Sequence, residues 1–135
     1  MFNPPKVAEW QWFDETCGLM YPWYTLPCLE EISKWDLREK IVLEYGGGNS
    51  SLWWARKAKA VYTVERDPVW CDVLFREYRE GRGLSPMCVT ANEGIAEDIR
   101  RFVEAPWEHM GLNRFKDLSP DIVIVDDIGR YECMV

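Results

Sequence analysis

The sequence predicts an α/β fold: a doubly wound parallel sheet with helices on both faces. Three observations carry the prediction. The apolar run Ile41-Val42-Leu43 stops at the triplet Gly46-Gly47-Gly48, and a helix-like segment, Asn49-Ser50-Ser51-Leu52-Trp53-Trp54-Ala55, follows. β-branched segments then alternate with amphipathic ones, the pattern of right-handed βαβ crossovers. Finally, Asp121-Ile122-Val123-Ile124-Val125-Asp126-Asp127 holds a continuous apolar run of the kind a parallel sheet buries on both faces. At 135 residues the chain suits a single domain. It divides into a helical, aromatic-rich lead segment over 1–39 and a ligand-binding core over 40–135.

Taken in order, residues 7 to 20 are expected to form a short helix carrying Trp10, Trp12 and Phe13. Tyr21-Pro22-Trp23-Tyr24-Thr25-Leu26-Pro27 is a proline-marked aromatic connection. Its aromatics either bury the lead segment on the core or make residues 21 to 24 part of a lid over a ligand. Pro27 fits a first helical position, and Cys28, Leu29, Ile32 and Trp35 form an apolar stripe at helical spacing. The first strand of the core runs into the glycines, and Trp53 and Trp54 of the next helix are expected to pack on the sheet. Ala60-Val61-Tyr62-Thr63-Val64-Glu65 is the second strand. Asp67 is a helix cap and Pro68 a first helical residue, with Trp70, Val73, Leu74 and Tyr78 on one face as far as Gly81-Arg82-Gly83. Met87-Cys88-Val89-Thr90 is the third strand, with Ala91-Asn92 at its end. Ile95, Ile99, Phe102 and Val103 mark a further amphipathic helix. The pattern from 105 to 120 is irregular.

Composition narrows the function. A net charge of −7 argues against a broad phosphate-binding surface, so nucleic acid is not an expected partner and a small molecule is. The five cysteines show no C-x-x-C pair and His109 stands alone, so no metal site is expected. An odd cysteine count without paired spacing suits free thiols in a reducing cytosol. The N-terminus lacks the features of a signal peptide and no run reaches transmembrane length, so the expected setting is soluble and cytoplasmic, away from membranes.

The chemistry gathers at the expected carboxyl ends of the strands, where ligands bind in sheets of this class. Three glycines permit φ > 0 and remove every Cβ that would keep a ligand off the backbone. The first-turn amides of the following helix favour an anionic group. The other strands end in Glu65, in Asn92, and in Asp126 with Asp127. Glu65 lies 17 residues after Gly48, a suitable distance for a carboxylate accepting hydrogen bonds from both hydroxyls of a ribose. Plainer readings exist: a glycine-rich turn can be a tight connection, Glu65 can bond to a nearby helix, Asn92 can cap one, Asp126 can brace a turn, and Asp127 and His109 can be solvated. A dinucleotide-binding G-x-G-x-x-G/A fingerprint begun at Gly46 and Gly48 fails at its third position, which is Ser51.

At these residues the chain resembles the class I S-adenosylmethionine (SAM)-dependent methyltransferases, in particular small bacterial and phage-type proteins with a Glu-Tyr-Gly-x-Gly-Asn-Ser-Thr-Leu-Trp-Trp-Ala style loop. The resemblance runs from about Leu29 to the end and is strongest over 42–70 and 121–132. It implies a Rossmann-like sheet with strand order 3-2-1-4 and SAM as cofactor. By resemblance the loop residues Glu44, Tyr45, Gly46, Gly47, Gly48 and Asn49 wrap the methionine part, Glu65 holds the ribose, Ala91 and Asn92 lie by the adenine, and Ser50 and Arg66 belong to the same cofactor-binding set. Asp126 would face the methionine end, and Asp126 or Asp127 would be the base if the acceptor must lose a proton. Residues 125 to 133, Val-Asp-Asp-Ile-Gly-Arg-Tyr-Glu-Cys, are similar to the family's Val-Asp-Gly-x-x-Arg-x-x-Cys, with Asp127 in place of glycine. A SAM-binding module that acts by interaction alone is the alternative. Family members continue through three more strands, so the fold is expected to be truncated here. Either the chain is a fragment of a longer protein, or strand 121–126 is covered by the lead segment or by a second copy in a homo-oligomer.

Overall fold

The computed structural model describes residues 13–22, 24–81, 83–92, 94–108 and 119–126. Two short strands, β1 (Phe13–Asp14) and β2 (Leu19–Met20), pair antiparallel, and α1 (Leu26–Ile32) follows. The core then runs β3 (Ile41–Tyr45), α2 (Asn49–Lys57), β4 (Ala60–Glu65), α3 (Pro68–Arg79), β5 (Leu84–Cys88), α4 (Ala96–Glu108) and β6 (Ile122–Val125). Strands β3 to β6 form one parallel sheet in the order β5-β4-β3-β6. Among the described residues, no helix is long and apolar enough to cross a membrane.

Side chains alternate across a strand, so each core strand supplies two faces. Val42 and Val61 pack with Trp53, Trp54 and Leu74 of α2 and α3, joined by Ile32 and Leu37 from the lead segment. Leu43, Tyr45 and Val64 turn the other way and pack with Phe102 and Ala105 of α4. Full burial of each such Leu, Val or Phe contributes about 1.5–3 kcal/mol. The tyrosine on the α4 face keeps its polar end satisfied: the Tyr45 hydroxyl donates to the Val103 carbonyl at 2.7 Å.

The lead segment departs from the expected helix over 7–20. Of that range, the described residues form the β1–β2 hairpin. The Asp14 carboxylate accepts the Thr16 N–H, and Gly18 takes φ 75° to close the turn. Asp14 is then buried, accepting from the Trp53 indole N–H at 2.9 Å and pairing with Lys57 at 2.9 Å. Burial alone would raise its ionisation point, yet bonds from Thr16, Lys57 and Trp53 hold it down at about 2.

Three other expectations need correction, and the one face expected of α3 divides. The third core strand begins at Leu84 and contains Pro86, which an edge strand such as β5 tolerates. In α3 the fully buried residue is Leu74, with Cys71 beside it, whereas Tyr78 is exposed and Trp70 lies at the sheet's carboxyl edge. The helix α4 extends through Pro106 into the stretch expected to be irregular. The β6 run is not buried on both faces, for Val123 is 49% exposed.

The cysteines are not all free thiols. Cys71 of α3 and Cys88 of β5 form a disulfide with Cα atoms 6.0 Å apart. Their sequence spacing gave no sign of it; the βαβ crossover brings both to the sheet's carboxyl edge.

Candidate functional site

The glycine loop leaves the central strand β3 and enters α2 through three positions with different demands. Gly46 sits at φ 87° while its N–H donates to the Val64 carbonyl at 2.9 Å, so it needs a left-handed backbone. At Gly47 a Cβ would lie 2.3 Å from Thr63 Cγ2 and 2.8 Å from Leu74 Cδ1, so only glycine lets the loop pass over the sheet. At Gly48 a Cβ would meet the Trp70 ring at 3.6 Å.

Glu44 holds the loop from below. It shares the Val42 face of β3, is fully buried, and accepts hydrogen bonds from the Ser50 and Ser51 hydroxyls. The Ser51 oxygen in turn accepts the Gly48 N–H at 3.0 Å, which ties the loop to the first turn of α2. Burial pushes the Glu44 carboxyl up to about 7, against the opposing hydroxyls of Ser50, Ser51 and Thr63 and with a further push from Asp126.

Above the loop lies a cavity of about 640 Å³. Its floor is Gly46, Gly47, Gly48, Asn49 and Ser50. One wall is Tyr21, Pro22 and Tyr24 of the lead segment, and the other is Glu65, Arg66, Asp67, Pro68 and Trp70, with Asp126 completing the rim. Glu65 is buried at the end of β4, and its Oε1 accepts the amides of Arg66 at 2.7 Å and Asp67 at 2.8 Å. Asp67 caps α3 by accepting the Val69 N–H at 2.8 Å. Asp126 is exposed, and its backbone N–H donates to the Tyr45 carbonyl at 2.9 Å, which fixes it beside the loop. The lining therefore carries three carboxylates, Glu65, Asp67 and Asp126, against the guanidinium of Arg66.

The cavity brings together the glycines, Asn49, Ser50, Glu65, Arg66 and Asp126. It does not bring in Glu44, which supports the loop, or Tyr45, whose ring turns to α4. Ala91 is buried in the α4 core. Asn92 is engaged with Asp98, which accepts from its backbone N–H at 2.9 Å and from Nδ2 at 3.0 Å, so it orders the start of α4. Asp127 and His109 lie outside the described residues.

Six lining residues, Asp67, Pro68 and Trp70 at the start of α3 and Tyr21, Pro22 and Tyr24 of the lead segment, are not among the expected cofactor-binding residues. Trp70 belongs to the face of α3 that helical spacing marks, but it sits in the first turn of α3, past the end of the sheet, where a helix side chain meets the cavity. Its place just after Asp67-Pro68 was the available signal. Tyr24 was grouped only with a lid or packing segment; its oxygen accepts the Trp54 indole N–H at 3.0 Å, a contact between positions 30 residues apart that no local pattern displays. No family model matches the chain, and no curated protein matches it.

Proposed function

We propose that the cavity binds SAM and that the chain, a Rossmann-like doubly wound domain, transfers its methyl group to a small-molecule acceptor. The observation that carries this reading is the convergence of the glycine loop, Glu65 and Asp126, from the carboxyl ends of three neighbouring strands, on one cavity. Its volume of about 640 Å³ falls in the range of small-ligand sites. The donor set suits the group: first-turn amides at Asn49 and Ser50 for an anionic end, a carboxylate at Glu65 for ribose hydroxyls, and aromatic faces at Tyr24 and Trp70 for a cation.

When bound, SAM supplies a methyl group already activated on a sulfonium. The chain's own contribution is geometry. Glu65 fixes the sugar end, the loop fixes the amino-acid end, and the lead-segment wall shields the reacting side from water. Asp126 stands at the rim to accept a proton from an acceptor that must lose one. The exposure of Asp126 favours, as a second reading, a SAM-binding module without transfer, since proton removal gains from a water-excluded base.

Calorimetry with SAM, S-adenosylhomocysteine and NAD tests the reading. SAM and its demethylated product are expected to bind, and Glu65→Ala is expected to weaken both by roughly 10- to 100-fold through loss of charge-assisted bonds. A signal from NAD alone would overturn the proposal. Unchanged affinity in the variant would remove Glu65 from the site.

A further inference from the structure

We propose that Tyr24 is a specificity-determining binding residue whose hydroxyl, aimed by Trp54, donates a hydrogen bond to the α-carboxylate of the ligand's amino-acid end. This rests on the methyl-donor reading above and names a contact that reading leaves open.

The geometry begins with the hydroxyl's valence. A phenol has one proton to donate and lone pairs that accept. The Tyr24 oxygen accepts the Trp54 indole N–H at 3.0 Å. Trp54 is buried in α2, the helix that begins at the glycine loop, so the oxygen is fixed to the same rigid body as the cavity floor. Because the indole can only donate, it orients the oxygen and leaves the phenolic proton for another acceptor. Tyr24 lines the cavity, so a ligand can supply that acceptor.

The proton also stays on the oxygen. Burial pushes the Tyr24 hydroxyl well above its ordinary range, and the nearby carboxyl groups of Glu44 and Asp126 push in the same direction. Tyr24 is thus a neutral donor at any ordinary pH. An α-amino acid end carries a carboxylate, which matches the Tyr24 hydroxyl and the first-turn amides of α2.

The test compares two ligands that differ only in carrying the amino-acid end or lacking it: S-adenosylhomocysteine and 5′-methylthioadenosine, each titrated calorimetrically. Tyr24→Phe keeps the ring and removes the donor. It is expected to weaken S-adenosylhomocysteine about tenfold while leaving methylthioadenosine unchanged. Trp54→Phe, which keeps the hydroxyl but removes its guide, is expected to show the same selectivity with a smaller loss, and it serves if Tyr24→Phe does not fold. Equal loss of both ligands, or loss of neither, in the folded variant overturns the assignment. If the unaltered chain binds neither ligand, the methyl-donor reading falls and the Tyr24 contact falls with it.

Discussion

Glu44 is a carboxyl group sealed under the glycine loop, and its protonation ties the loop to pH. Its folded value of about 7 stands above the ordinary 4.5, so the folded state binds the proton more tightly than the unfolded state. Its contribution is fully present below about pH 4.5 and is lost as pH rises through 7, a change on the order of 3 kcal/mol. Asp14 works in the opposite window: lowered to about 2, it stabilises above its ordinary 3.8 and loses that effect as the pH falls through 2. Thermal melts at pH 5 and pH 8 should therefore differ, and Glu44→Gln should flatten that slope. An unchanged slope in the variant would mean that another group controls it. The sequence marked Glu44 but not its role. Strand alternation puts residue 44 on the same face as Val42, toward α2, so its support of the loop was latent in the pattern, yet resemblance drew it into the ligand's shell. Glu65 is placed at the cavity by its position at the end of the strand, which the sequence displays, whereas its bonds to the Arg66 and Asp67 amides are the plainer reading of the same carboxylate.

At the scale of elements, the disulfide between Cys71 and Cys88 clamps α3 to β5 at the edge of the sheet where Glu65 sits. It closes a loop of sequence separation 17, which in the chain-entropy account contributes about 3 kcal/mol. Dithiothreitol should lower the melting temperature by on the order of 10 °C, while a Cys71→Ala, Cys88→Ala double variant should melt low and ignore the reductant. Equal melting with and without reductant would deny the bond a stabilising role. Strands β3 and β4 and the capped start of α3 were legible, because an apolar run ending in glycines and an Asp-Pro pair are local signals. The hairpin was not: the expectation over 7–20 is a short helix carrying Trp10, Trp12 and Phe13, while the turn depends on Asp14 reaching Thr16 and on Gly18 at φ 75°. Nor was the disulfide, since spacing rules register neighbours along the chain and this pair meets through a crossover.

Across the whole molecule, the strands of the sheet are not equally easy to bring together. β3 meets β4, and β4 meets β5, each after a single intervening helix. β6 meets β3 only when residues 80 apart close, as in the bond from the Ile41 N–H to the Asp121 carboxylate at 2.8 Å. Closing so long a loop has an entropic cost before any contact repays it. This predicts an order of assembly in which β3-α2-β4-α3-β5 forms the nucleus and β6 docks after the rate-limiting step. Stopped-flow refolding should separate them. Ile124→Ala, on β6, should lose about 1–3 kcal/mol almost wholly through faster unfolding, whereas Val61→Ala, in the middle of the nucleus, should slow refolding. Slowed refolding in Ile124→Ala would place β6 in the nucleus instead. On that order β6, which among the described residues pairs with β3 alone, is the core strand expected to dock last, so the Asp126 side of the cavity would be completed late in folding.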